Sequence, residues 1–194
     1  MKTIDYYNRQ AEQFIQSTFS VDMESLYLYF LNELPKHARI LDLGCGSGRD
    51  SLAFKNKGYL VDAIDYSEVL VQRAIQFTGI QVKLKSFYEI EEHEIYDGIW
   101  ACASLLHCER DRLAEVIERL IKASKPNGVL YMSFKHGSTD REEDGRKFTD
   151  LNETQARDLL EQFAHVQLIK QWMTLDQRPD RQEQWLNLLW KKHA

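Results

Sequence analysis

Apolar residues recur every three or four positions over residues 3–34, with Ala11, Phe14, Ile15, Leu26, Phe30 and Leu31 on the recurring face and a break at Ser20-Val21-Asp22. This spacing predicts two helices before any strand. Pro35 closes the segment, and beyond it short, almost wholly apolar runs alternate with amphipathic ones. Residues 39–43 read as a buried strand, Ser47-Gly48 opens a helix that Gly58 ends, and residues 59–64 form a second strand stopping at Asp65. Ser67 can cap a helix carrying Val69, Leu70, Ala74 and Ile75, and a third strand runs near residues 80–84.

Residues 87–94 are charged and irregular. A strand is expected over residues 95–103, an amphipathic helix over 111–124, a turn at Pro126-Asn127-Gly128 and a fifth strand over 129–134. Residues 136–150 read as a polar loop, long enough to suspect a function. Asn152 with Gln155 three positions later marks another helix start, and residues 166–175 and 183–190 read as two closing strands. Strands alternating with helices imply a parallel sheet with helices on both faces, because parallel strands need crossovers. The last two strands break that alternation, and a short loop between them requires an antiparallel return.

The chain has 194 residues and a formal net charge of -5, with both signs interspersed. That length suits one domain, and the charge predicts no steering towards a phosphate backbone, so nucleic acid is disfavoured as a partner. Three cysteines, Cys45, Cys102 and Cys108, lack any C-x-x-C spacing, which argues against a disulfide framework or a structural metal site. No run has the signature of a leader or a membrane span, so a soluble, cytoplasmic protein is expected.

The strand ending at residue 43 passes into Gly44-Cys45-Gly46-Ser47-Gly48, with Asp42 at its tip and Asp65 at the next strand's end. Glycines where a backbone must approach a ligand, followed after about 20 residues by a carboxylate for ribose hydroxyls, make a spaced nucleoside-binding constellation. A dinucleotide fingerprint would want its third glycine where Arg49 stands. Asp42 would repel a pyrophosphate but suits an ammonium. At these residues the chain resembles class I S-adenosylmethionine-dependent methyltransferases, and Gly48-Arg49-Asp50-Ser51 resembles the tellurite-resistance and thiopurine methyltransferase-like branch.

The resemblance implies an α/β fold: a Rossmann-like seven-stranded sheet, mostly parallel with an antiparallel last strand. Residues 1–35 would form an N-terminal helical lid, and residues 36–194 the core of a single domain. It implies that Asp42, Gly44, Cys45 and Gly46 surround the methionine part of the cofactor, that Arg49 reaches its carboxylate, and that Asp65 takes the ribose. Tyr66 would pack on adenine. Ser86 and Phe87 stand where the family often has an acidic residue for the adenine amino group, and Ala103 ends the fourth strand beside the cofactor. For Asp42 and Asp65 the alternative is simple capping of turn and helix.

Methyl transfer is an in-line displacement for which positioning supplies most of the catalysis, and no metal is expected. The segment Ala103-Ser104-Leu105-Leu106-His107 falls where the family places acceptor contacts, and it resembles small-molecule methyltransferases rather than the Asn-Pro-Pro-Tyr or Pro-Cys enzymes. His107 could orient an acceptor or take its proton; the alternative is a structural histidine bonded to a backbone carbonyl. Loops after the fifth and sixth parallel strands emerge on the ligand face, so Lys135, His136, Arg141, Arg146, Arg178 and Arg181 should ring one opening. That rim suggests an anionic small acceptor. Tyr7, with Tyr6 and Phe14, would close the pocket from the first helix. The competing readings are an RNA or protein methyltransferase and a non-catalytic cofactor-binding module; oligomeric state is not legible.

Overall fold

A computed structural model describes residues 2–178 and 181–193. Three short helices, α1 (Thr3–Arg9), α2 (Ala11–Thr18) and α3 (Glu24–Leu31), precede the first strand. The expected pair is therefore a trio, because Gln10 leaves the helical region with φ −104° and ψ 15° and turns α1 away from α2. Then follow β1 (Arg39–Leu43), α4 (Arg49–Asn56), β2 (Leu60–Asp65), α5 (Glu68–Thr78), β3 (Val82–Leu84), β4 (Tyr96–Ala101) and α6 (Leu113–Ala123). The chain ends with β5 (Ser124–Lys135), β6 (Asp140–Glu143), β7 (Arg146–Thr149), α7 (Glu153–Leu160), β8 (Val166–Leu175) and β9 (Gln184–Lys192).

Seven strands form one sheet in the order β3-β2-β1-β4-β5-β9-β8. β9 runs antiparallel to both β5 and β8, and the other pairings are parallel. The order reverses between β1 and β4, which opens a crevice beyond the carboxyl ends of the strands. Successive strand residues face opposite sides. Ile40, Trp100, Val129, Tyr131 and Leu189 pack against α3 and Phe54 of α4. Leu41, Ile99, Leu130, Met132 and Trp190 pack against Val116, Ile117 and Leu120 of α6.

Two local expectations differ. The Pro126-Asn127-Gly128 turn is a kink inside β5, with Asn127 at φ 64° and a jump in the β4–β5 register between Tyr96 and Gly98. The polar stretch over residues 136–150 is not a loop. It is the antiparallel β6–β7 hairpin, turned by Asp144 and Gly145 at φ 53° and 76°, the left-handed pair that a two-residue hairpin needs.

Candidate active site

A cavity of about 1190 Å³ opens at the switch point, roofed by α1 and α2. One end is built on the glycine turn. The amides of Gly44 and Cys45 both donate to the Ile64 carbonyl at 2.9 Å, so the turn is tied to the end of β2. Gly44 sits at φ 76°, and a Cβ there would lie 2.6 Å from Ser104 Cβ, so no other residue fits without movement. A Cβ on Gly46 would meet the Phe14 ring at 3.0 Å, which shows how closely α2 covers the turn.

Asp65 accepts the Gly46 amide on one oxygen and the Ser67 amide on the other, each at 2.8 Å. Burial pushes its carboxyl up, opposed by these bonds. The Tyr66 amide also bonds to it, and since a carboxylate has about four acceptor positions, acceptor capacity remains. Tyr66 is exposed beside it, and Ser86 and Phe87 line the cavity together with Gly44, Cys45, Gly46 and Ala103. Ala103 adopts φ 52° while its amide donates to Ser133 Oγ at 2.8 Å.

Asp42 does not line the cavity. It lies beneath the turn, 2 % exposed, and accepts from Ser51 Oγ at 2.5 Å. Its neighbour Asp50 is saturated: Arg49 Nε (2.6 Å) and Tyr27 Oη (2.6 Å) donate to one oxygen, Arg49 Nη2 (3.1 Å) and Trp100 Nε1 (2.8 Å) to the other. Burial works against a charge on Asp50, but the Arg49 ion pair and these bonds hold its carboxyl below the usual range. Burial and the Asp50 charge push Asp42 up, so the single proton of this acidic pair belongs to Asp42. Arg49 faces the cavity, yet its guanidinium is spent on Asp50 and, at 3.1 Å, on the Thr18 carbonyl that ends α2.

The other end is cationic and aromatic. His107 Nδ1 donates to the Lys147 carbonyl at 2.7 Å, which leaves Nε2 as the unprotonated nitrogen, and Tyr7 Oη donates to it at 2.8 Å. Burial first, then Arg146, Lys135 and Arg141, lower the His107 pKa to about 4, against the pull of the Lys147 carbonyl. Burial pushes Tyr7 up to about 12, against Arg146. Phe148 is the hub. The His107 ring lies 4.9 Å from its centroid, Lys135 Nζ 4.8 Å, Arg141 Cζ 4.4 Å and Arg146 Cζ 5.1 Å.

Of the expected basic rim, Lys135, Arg146, Arg178 and Arg181 line the cavity. His136 and Arg141 do not: His136 points to Glu153 at 3.0 Å, and Arg141 is held by Asp150 and Glu143. Arg178 is clasped by Asp176 through two guanidinium nitrogens, and Arg181 pairs with Glu183 at 3.3 Å. Ser104 Oγ and Arg146 Nε are buried without a hydrogen-bond partner among the described residues. Ser104, Trp100 and Asp50 stood only inside motif segments, and Tyr27 and Phe148 had no signal of their own in the sequence; Phe148 becomes a site residue only once the hairpin is recognised.

A family model for a methyltransferase domain matches residues 7–182. The chain is 32 % identical over 113 residues to the putative methyltransferase YqeM of Bacillus subtilis, covering 53 % of this chain and 46 % of that protein. It is 31 % identical over 104 residues to a malonyl-[acyl-carrier protein] O-methyltransferase of Buchnera aphidicola, covering 51 % of this chain and 40 % of that protein. It thus spans about half the length of the curated relatives it matches. Among solved structures, Burkholderia thailandensis 1,6-didemethyltoxoflavin-N1-methyltransferase superposes with a TM-score of 0.82 over 98 % of this chain and 87 % of that one, at 19 % identity. That likeness is one of fold.

Proposed function

The chain belongs to the methyltransferase domain family, and from that premise we propose that it moves a methyl group from S-adenosylmethionine to a small-molecule acceptor. The observation that carries this reading is the Asp65 carboxylate, with acceptor capacity left over, at the mouth of a glycine turn opening into a cavity of about 1190 Å³. Pockets for one ligand run to about 1,000 Å³ or less, so this volume accommodates a nucleoside cofactor and an acceptor together.

The residues present fit the cofactor. Asp65 would take two vicinal hydroxyls, Tyr66 and Phe87 offer ring surface to a base, and Gly44 and Gly46 let the backbone approach. When bound, S-adenosylmethionine supplies an electrophilic methyl group on a cationic sulfur. The chain's own contribution is to hold an acceptor at the Tyr7–His107 end and to exclude water beneath α1 and α2. That roof favours a small acceptor over a nucleotide in a polymer, and the net charge of -5 points the same way. A soft sulfur or heavier chalcogen acceptor rests only on the resemblance of residues 48–51.

Calorimetric titration with S-adenosylhomocysteine and with NAD tests the reading. S-adenosylhomocysteine should bind and NAD should not, and Asp65→Ala should weaken binding roughly 100-fold, the loss of two charge-assisted hydrogen bonds. Binding of NAD alone, or equal affinity in the variant, would overturn it.

A further inference from the structure

The acceptor end of the cavity combines two features that constrain what it can methylate. The first is cationic. Lys135 is only 8 % exposed and is compensated by long contacts, a hydrogen bond to Glu183 at 3.4 Å, whose oxygen it shares with Arg181, and an ion pair to Glu143 at 3.8 Å. Arg146 is stacked 4.1 Å from the Tyr6 centroid, its polar contacts include the Tyr7 hydroxyl and the exposed Asp144 at 3.3 Å, and its buried Nε has no hydrogen-bond partner among the described residues. Burying guanidinium and ammonium groups this way is costly unless an anion completes them. Arg178, clasped by Asp176 through two nitrogens, does not share this deficit.

The second feature is the histidine. Nε2 of His107 lies at the cavity end with its lone pair taken by the Tyr7 hydroxyl, in the tautomer fixed by the Lys147 carbonyl. The groups around it are Tyr7 from α1, Lys135 from β5, Arg146 and Phe148 from β7, and Arg141 from β6. The charged ones are all cations, and they oppose a positive imidazole. Such a histidine accepts a hydrogen bond but is a poor match for pulling a proton from a weak acid at neutral pH.

We infer that the acceptor is an oxygen or nitrogen acid taken up as its anion, its charge held by Arg146 and Lys135 beside the Tyr7–His107 pair. This rests on the methyl-transfer reading above. A lone pair of the anionic atom forms the new bond to carbon as the carbon–sulfur bond breaks, its electron pair leaving with sulfur. The negative charge of the acceptor and the positive charge of the sulfonium cancel, and no proton is released. His107 is then a positioning residue that orients Tyr7, and the cations select acidic acceptors over neutral alcohols or amines of the same shape.

The test uses a matched pair of probes, 4-nitrophenol and its neutral methyl ether 4-nitroanisole, on protein saturated with S-adenosylhomocysteine. The phenolate absorption band reports the ionisation of the bound probe. The anion should bind at least about tenfold more tightly than the ether, and bound 4-nitrophenol should ionise at a lower pH than the free compound. Arg146→Gln and Lys135→Gln should each remove about tenfold of the phenolate affinity while leaving the ether and S-adenosylhomocysteine unaffected; Arg146→Lys should restore part of it. Equal binding of phenolate and ether, a bound phenol that is harder to ionise, or no binding of the phenolate at millimolar concentration would overturn the acceptor class alone. Failure of S-adenosylhomocysteine to bind the unaltered protein would instead bring down the methyl-transfer reading, and this inference with it.

Discussion

The buried, cation-flanked His107 makes the stability of the protein depend on pH in a defined direction. Its pKa is lowered from 6.5 to about 4, first by burial and then by Arg146, Lys135 and Arg141. Between these values the unfolded chain holds a proton that the folded one rejects, so acid favours unfolding and stability rises with pH across this window. The contribution is intact above pH 6.5 and is lost progressively as pH falls towards 4. With those two values, the linkage relation gives a loss of about 2 kcal/mol between pH 8 and pH 5, and about 3.4 kcal/mol once both states are protonated. Replacing His107 with glutamine removes the titrating group while keeping an amide that can meet Tyr7 or the Lys147 carbonyl. Urea unfolding of both proteins at pH 8 and pH 5 isolates the His107 share, because every other titrating group is common to the pair. The unaltered protein should lose about 2 kcal/mol more than His107→Gln over that interval. Parallel pH dependences in the two proteins would refute the burial of a neutral imidazole among cations, and a steeper fall in the variant would reverse its sign.

Asp50→Asn should cost roughly 3–5 kcal/mol in urea unfolding, because it leaves the buried Arg49 guanidinium facing an amide where Tyr27 and Trp100 also donate; a cost below about 1 kcal/mol would mean the network is solvated. Gly145→Ala places a Cβ at φ 76° in the hairpin turn, so it should cost about 1–2 kcal/mol and raise hydrogen exchange in the β6–β7 amides without weakening S-adenosylhomocysteine binding.

The sheet was legible because burial wrote it twice over. Runs such as Ile40-Leu41 and Val129-Leu130 can be apolar at every position only where both faces of a strand are covered, and that already means parallel strands under helices. Caps were legible for the same kind of local reason: Ser67 accepts the Leu70 amide, and Asn152 exchanges bonds with Gln155. The β6–β7 hairpin was missed although Asp144-Gly145 is a strong two-residue turn signal. Its strands, Asp140–Glu143 and Arg146–Thr149, carry mostly charge, so the alternation that normally exposes a strand was absent. The role of Asp50 was hidden for a different reason. Its partners Tyr27 and Trp100 lie 23 and 50 positions away, and only the packing of α3 against β4 brings them to one carboxylate. Arg49 looked free for a ligand because its hold on the adjacent Asp50 and on the Thr18 carbonyl, 31 positions away, depends on how α2 and α4 pack.

That last contact bears on how ligands enter. The roof is fastened at both ends of the cavity: Thr18 carbonyl to Arg49 and Ser67 Oγ to Asn8 at 2.6 Å over the glycine turn, Tyr7 to His107 and Thr3 Oγ1 to the Lys147 amide at 3.0 Å over the hairpin. Each is a single polar contact of about 1 kcal/mol net, and among the described residues the roof buries few large side chains, Ile15 being one. A segment so held can open at modest cost, yet it cannot release one end without straining the other, since α1 and α2 are joined through Gln10 alone. One opening event therefore serves both halves of the cavity. A molecule at the hairpin end that strengthens the Tyr7 and Lys147 contacts also holds Phe14 over Gly46 and so slows escape from the glycine-turn end. If the roof couples the two halves, reciprocity requires each occupant to tighten the other, so 4-nitrophenolate should bind more tightly to protein saturated with S-adenosylhomocysteine than to free protein, and equal affinities in calorimetry would refute the coupling.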